Sequence, residues 1–185
     1  MKHKKKHARE LGFPAWTRAS DKRREHVARV VELLERWASA MRIPKAEAER
    51  WRVAGLLHDA LRDAPDAVLR KWSGDKKSAA ELLHGPAAAV RAGVDGERRK
   101  DVLDAVRFHT VGCATWARTG RALFMADFLE PGRKFLVSER AFLAQQAPRD
   151  FDGTFREVVR LRLTWSLGQG GELFPETVAL WHAVR

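Results

Sequence analysis

Apolar residues recur along this chain at three- and four-residue steps, the spacing that lines one side of an α-helix, and the steps resume after nearly every turn signal. Ser20 is placed to cap a helix beginning at Asp21, whose apolar side is Val27, Val30, Val31, Leu34, Ala38 and Met41. Pro44 opens a second helix with Trp51, Ala54, Leu57, His58 and Leu61 along one side. The stretch "DAPDAVLRKWSG" predicts a turn and a short helix ended by Gly74, and "KKSAAELLHGPAAAVRAG" predicts two helices separated by a break at Gly85 and Pro86. Further helices are expected over 97–110, through "RALFMADFLEPG" to a stop at Pro131 and Gly132, and over 138–146, 151–167 and 175–185. The "GQGG" at 168–171 reads as a helix-helix connector. With no strand alternation and no internal repeat, the pattern predicts one all-α helical bundle of about eight or nine helices over residues 20–185. Residues 1–19 are expected to form a basic, flexible extension.

Composition narrows the class. In 185 residues, a 45% hydrophobic share is enough for one substantial core. The longest apolar runs fall far short of the ~20 residues of a membrane-spanning helix, and the first residues lack the apolar segment of a secretory leader. A cytoplasmic protein with no membrane partner is expected. The single cysteine, Cys113, excludes an internal disulfide framework and a cysteine-rich zinc site. Any metal ion must therefore be held by histidines and carboxylates. Of the formal net charge of +11, residues 1–24 supply +7, from nine Lys or Arg against Glu10 and Asp21. The tail, with His3 and His7, has the charge for weak non-specific contact with nucleic acid, although a solvated terminus is the commoner role of such a segment. The less basic body suits a polyanionic substrate such as a nucleotide.

Four of the seven histidines, His26, His58, His84 and His109, fall within or at the end of apolar helical stretches. One such histidine is ordinarily a core residue satisfied by a hydrogen bond, but four on successive helices raise the question of a shared ligand. Asp59 follows His58, and neighbouring side chains on a helix diverge by about 100°, so other helices must supply further ligands. Asp127, a carboxylate in the otherwise apolar "FMADFLEPG", is either such a ligand or one half of an internal salt bridge.

The order His, His-Asp, Asp on successive helices resembles the HD-domain metal-dependent phosphohydrolases. "RREH" at 23–26, "LLHDALRD" at 56–63, "LLHGP" at 82–86, "RFHTVG" at 107–112 and "ADFLEPGRKF" at 126–135 are similar, in order and spacing, to the YqeK family of bacterial HD hydrolases. The resemblance spans Arg23 to Phe135, and "FPETVALWHAV" is similar to that family's last helix. It implies a symmetrical bis(5'-nucleosyl)-tetraphosphatase that cleaves diadenosine tetraphosphate to two ADP with bound iron; imidazole and carboxylate ligands equally suit manganese, cobalt or zinc. On this reading His26, His58, Asp59 and Asp127 hold a metal ion, and Asp59 also aligns the attacking water. His84 and His109 either complete a second ion site or contact the scissile phosphates. Thr110 hydrogen-bonds a phosphate oxygen, and Arg23, Arg62 and Arg133, beside the ligand positions, make phosphate contacts. Two positions depart from the family pattern: Arg62 stands where Lys is common, and "HTVG" replaces "HTTG". The competing readings are an HD hydrolase of a mononucleotide or other phosphorylated metabolite, and a basic RNA-associated scaffold without turnover. Oligomeric state, a homodimer included, is left open.

Overall fold

The Ser20 side chain accepts a hydrogen bond from the Arg23 backbone N–H, and helix α1 starts from that cap to run over Asp21–Ala40. In the computed structural model, which describes residues 12–185, eight more helices follow: α2 Lys45–Leu57, α3 Asp66–Ser73, α4 Ala80–Val94, α5 Lys100–Phe108, α6 Arg118–Leu129, α7 Val137–Gln146, α8 Phe151–Gly168 and α9 Pro175–Val184. There is no strand among the described residues. None of these helices is long and apolar enough to cross a membrane. The sequence "RTGRALFMADFL" explains why α6 lies at the centre: from Ala122 to Leu129 it is buried on every side, as an all-round apolar helix must be. It packs on α1, α2, α5, α7 and α8. Trp37, Trp51 and Phe155, together with Phe124 of α6 itself, are the largest fully buried side chains.

Three expectations are corrected. The second helix does not run on through Leu61. It ends at Leu57, His58 becomes its C-cap with its N–H on the Ala54 carbonyl, and Asp59 enters a turn in which the Ala60 N–H bonds Leu57 O at 3.0 Å. The helix over 80–94 does not break at Gly85 and Pro86. Proline removes one N–H from the helix ladder, but the apolar face of Leu83, Ala87, Ala88 and Ala92 is buried and holds the helix together across that gap. Finally, the part of the expected N-terminal extension that the structure describes is docked on the body. Residues 1–11, with His3 and His7, lie outside the described residues. From Phe13 onward the chain is pinned to the body: the Arg18 N–H donates to Ala60 O at 2.7 Å, the Asp63 N–H donates to Arg18 O at 3.1 Å, and Phe13 packs on Val27, Val31 and Leu56. The apolar Phe13 and Trp16, set in a polar stretch, supply the surface for this docking.

Two glycines set how closely helices carrying the site approach. A Cβ on Gly85 would meet Val106 O at 2.8 Å, Arg107 O at 3.0 Å and His109 Cε1 at 3.1 Å, so glycine lets α4 lie against the C-terminal backbone of α5. A Cβ on Gly55 would meet Leu34 Cδ1 at 2.8 Å, which brings α2 close to α1. The Gly85→Ala substitution is expected to destabilise the fold by about 1–3 kcal/mol, since the two nearest atoms are backbone and cannot step aside. Urea unfolding measures this; an unchanged midpoint would mean that α4 and α5 are not held this tightly.

Candidate metal centre

Five helices, with the turn that follows the second of them, deliver six ionisable side chains to one buried point. His26 comes from the middle of α1, His58 and Asp59 from the end of α2, His84 from α4, His109 from the C-cap of α5, and Asp127 from the last turn of α6. Their exposures run from 0% for His58 to 7% for Asp127. The ring orientations follow from the backbone. Nδ1 of His58, His84 and His109 lies 2.7, 2.7 and 2.8 Å from the carbonyls of Gly55, Glu81 and Val106, each three residues earlier. A carbonyl only accepts, so each Nδ1 carries the proton and each Nε2 presents a lone pair inward. For His58 and His109 the same bond satisfies a carbonyl that the end of the helix leaves without an amide partner. Nδ1 of His26 is held instead by the carboxylate of Glu130 at 3.1 Å, 104 residues away in the chain.

The inward nitrogens form two groups around the two oxygens of Asp59. Near Oδ2 lie His26 Nε2 at 3.6 Å and His58 Nε2 at 3.5 Å; near Oδ1 lie His84 Nε2 at 3.2 Å and His109 Nε2 at 3.7 Å. His26 and His58 present Nε2 atoms 3.4 Å apart, and His84 and His109 present theirs 3.0 Å apart. Two imidazole lone pairs at such separations repel unless a proton or a cation lies between them. Nitrogens ligating one ion at about 2.1 Å are themselves roughly 3.0–3.4 Å apart, so the separations fit metal ligation. His26, His58 and Asp59 make one cluster able to hold an ion, and Asp59, His84 and His109 make a second, with Asp59 common to both. Asp127 borders the first through His26 Nε2 at 3.2 Å. The 100° divergence of neighbouring helical side chains does not separate His58 from Asp59, because the helix has already ended between them.

Burial works to raise the pKa of Asp59, but the surrounding imidazoles, His58 first, drive it well below the usual carboxylate range. Asp127 is likewise lowered, its burial outweighed by Arg133 and His26. Burial lowers His58 to about 4, against the pull of Asp59, so it is neutral at pH 7. His26 goes the other way: burial opposes its charge, but hydrogen bonds to Asp127 and Glu130 raise it to about 9.

Two of the three predicted phosphate arginines reach carboxylates. Arg23 Nη1 is 2.9 Å from Asp59 Oδ2, while Arg133 reaches Asp127 through Nη2 to Oδ1 at 2.5 Å and Nε to the backbone oxygen at 2.9 Å. The half-buried Arg62 has no side-chain hydrogen bond or ion pair among the described residues, and its charge is felt at His84. Thr110 Oγ1 is 3.4 Å from His109 Nε2. The sequence reading missed Glu130, which is 1% exposed and also receives Arg29 Nε and the Gly132 N–H, both at 2.6 Å. Its position one turn after Asp127 was the available signal. It also missed Arg162, whose Nη2 donates to Thr110 O at 3.1 Å; nothing in the local pattern of α8 sets this arginine apart.

The HD domain family model matches residues 23–132, which contain all six side chains. The chain is 30% identical to the symmetrical bis(5'-nucleosyl)-tetraphosphatase of Halalkalibacterium halodurans, over 74% of this chain and 76% of that one. To the protein of the same name from Bacillus subtilis it is 26% identical, over 80% and 78%, and to that from Staphylococcus aureus 31%, over 61% of each. A crystal structure from Clostridium acetobutylicum, described as a predicted HD superfamily hydrolase involved in NAD metabolism, superposes with a TM-score of 0.73 and 23% identity over 99% of this chain and 95% of that one. This last likeness concerns the fold.

Metal binding should compete with the proton on His26. Raised to about 9, that histidine is protonated at neutral pH, and an ion must displace its proton. Affinity for Mn²⁺ is therefore expected to rise about tenfold per pH unit between 7 and 9 and then level off. Titration calorimetry in buffers of different ionisation enthalpy reads both affinity and proton release; a flat profile over this range would show that His26 is not a ligand. Asp59→Ala should lose bound metal from both clusters while its far-UV circular dichroism stays helical, and elemental analysis checks this.

Proposed function

The chain belongs to the HD-domain family and is an HD-domain phosphohydrolase, and we propose that its substrate is a dinucleoside tetraphosphate, cleaved symmetrically, with diadenosine tetraphosphate giving two ADP. The observation that carries this reading is the pair of imidazole clusters sharing Asp59, a charge-neutralising centre of the kind that phosphoanhydride hydrolysis requires. The names of the three tetraphosphatase relatives support the substrate.

We assign His26, His58, Asp59 and Asp127 to one divalent ion, and Asp59, His84 and His109 to a second. Bound there, the ions supply Lewis acidity at the phosphoryl oxygens and lower the pKa of water. Imidazole and carboxylate ligands do not discriminate among iron, manganese, cobalt and zinc; iron is the ion that the family resemblance implies. Asp59, wedged between the clusters, aligns the attacking water. That water attacks one of the two central phosphorus atoms, the bridging P–O–P bond between them breaks, and the departing ADP takes the bridging oxygen. Of the three predicted arginines, Arg62, half-buried with its charge felt at His84, is the one free to meet phosphate charge among the described residues, and Thr110 supplies a hydroxyl to a phosphate oxygen. Arg23 and Arg133 act first on Asp59 and Asp127, holding the carboxylates in place, and turn to phosphate only when substrate arrives.

Chromatography of products formed from diadenosine tetraphosphate by the metal-loaded protein tests the proposal. ADP as sole product is expected. AMP with ATP, or no turnover by protein shown to hold its metal, would sink it, and faster hydrolysis of a mononucleotide under the same conditions would move the activity to that class.

A further inference from the structure

Helix α8 lies beyond the residues matched by the family model, yet it sends Arg162 to the centre. The guanidinium rests over the ring of Phe124, 4.0 Å from its centroid. Its Nη1 is buried, 3.9 Å from Asp127 Oδ2, and has no hydrogen-bond partner among the described residues. A buried cationic nitrogen without a hydrogen-bond acceptor is costly, so this position favours an anionic ligand oxygen. Three residues on, and therefore on the same side of α8, Trp165 stacks on Phe135 with centroids 4.5 Å apart and planes 24° from parallel. Trp165 remains 38% exposed despite this stack.

Phe135 is held from several directions. Arg140 donates to Arg133 O at 3.0 Å and to Phe135 O at 3.2 Å, and its guanidinium lies 4.9 Å from the Phe135 ring centroid. Phe128 meets the ring edge-on at 5.6 Å. The next residue, Leu136, is kept at φ 43°, a conformation that side-chain-bearing residues adopt only where their surroundings enforce it. A rigid, partly exposed aromatic pair, one helical turn from a guanidinium with one nitrogen lacking a hydrogen-bond partner, is the combination that binds a base and its phosphate.

We propose that Arg162 and the Phe135–Trp165 stack form the nucleoside-phosphate subsite: a phosphate oxygen accepts from the Arg162 guanidinium, whose side chain is 21% exposed, and the base stacks on the exposed part of Trp165. The proposal rests on the reading of this centre as a nucleotide hydrolase and names the part of it that recognises the nucleoside.

Titration calorimetry of the metal-loaded protein with ADP and with inorganic diphosphate tests it. Trp165→Ala should weaken ADP about 5- to 100-fold, the range of a lost base-aromatic stack, and leave diphosphate within about twofold. Trp165→Leu keeps an apolar cover over Phe135 without a π-face and should show the same selective loss, which guards against a folding defect in the alanine variant. Arg162→Gln should weaken both ligands, with Arg162→Lys restoring part of the affinity. Unchanged ADP affinity in both Trp165 variants, an equal loss of diphosphate in them, or wild-type protein that binds ADP no more tightly than diphosphate would overturn the subsite. Protein that shows the expected binding pattern but leaves diadenosine tetraphosphate intact would remove the proposed substrate and leave the subsite standing.

Discussion

A carboxylate that is 4% exposed has to be compensated, and the structure around Asp59 is arranged to do this. Four imidazoles and one guanidinium face its two oxygens. Each imidazole can serve only if its proton sits on the outer nitrogen, so each needs an acceptor behind it. Three find that acceptor in a carbonyl of their own helix, which costs the fold nothing extra. His26, in the middle of a helix whose carbonyls are already engaged, depends on Glu130, 104 residues further along the chain. Buried polar clusters of this kind are favourable when every member is satisfied and costly when one is not.

The requirement propagates outward. The rings can converge only if α4 lies against the end of α5 and α2 lies against α1, which places Gly85 and Gly55 at the contacts. Glu130 in turn is held by Arg29 and by the Gly132 amide, which ties the orientation of His26 to the loop after α6. Arg140 secures that loop from below, accepting no proton itself but donating to the carbonyls of Phe128, Glu130, Arg133 and Phe135. The loop that sets a histidine thus also fixes Phe135 under Trp165. One irregular segment joins the chemistry of the metal ligands to the aromatic surface on α8.

Most of the helices were legible because helical periodicity is local: which residues are apolar every third or fourth position depends on neighbours alone. The two places where element limits were misread are both at the centre. Ending α2 at Leu57 lets Asp59 turn inward, and carrying α4 through Pro86 keeps His84 on a rigid helix; in each case tertiary packing overrode the local signal. Docking of Phe13 and Trp16 was hidden by the charge of the tail in which they are embedded.

The sequence by itself determined an all-α chain, its membership of the HD-domain family, and the short set of histidines and aspartates able to bind a metal, because residue type and spacing carry that information. The tertiary structure decided which of these groups meet. That Asp59 faces two imidazole pairs, that Arg23 and Arg133 lie on carboxylates, and that Glu130 and Arg162 reach the centre all depend on how helices distant in sequence cross. Crossing is governed by close packing of whole faces, by a glycine here and a leucine there, and no local pattern of polar and apolar residues encodes it.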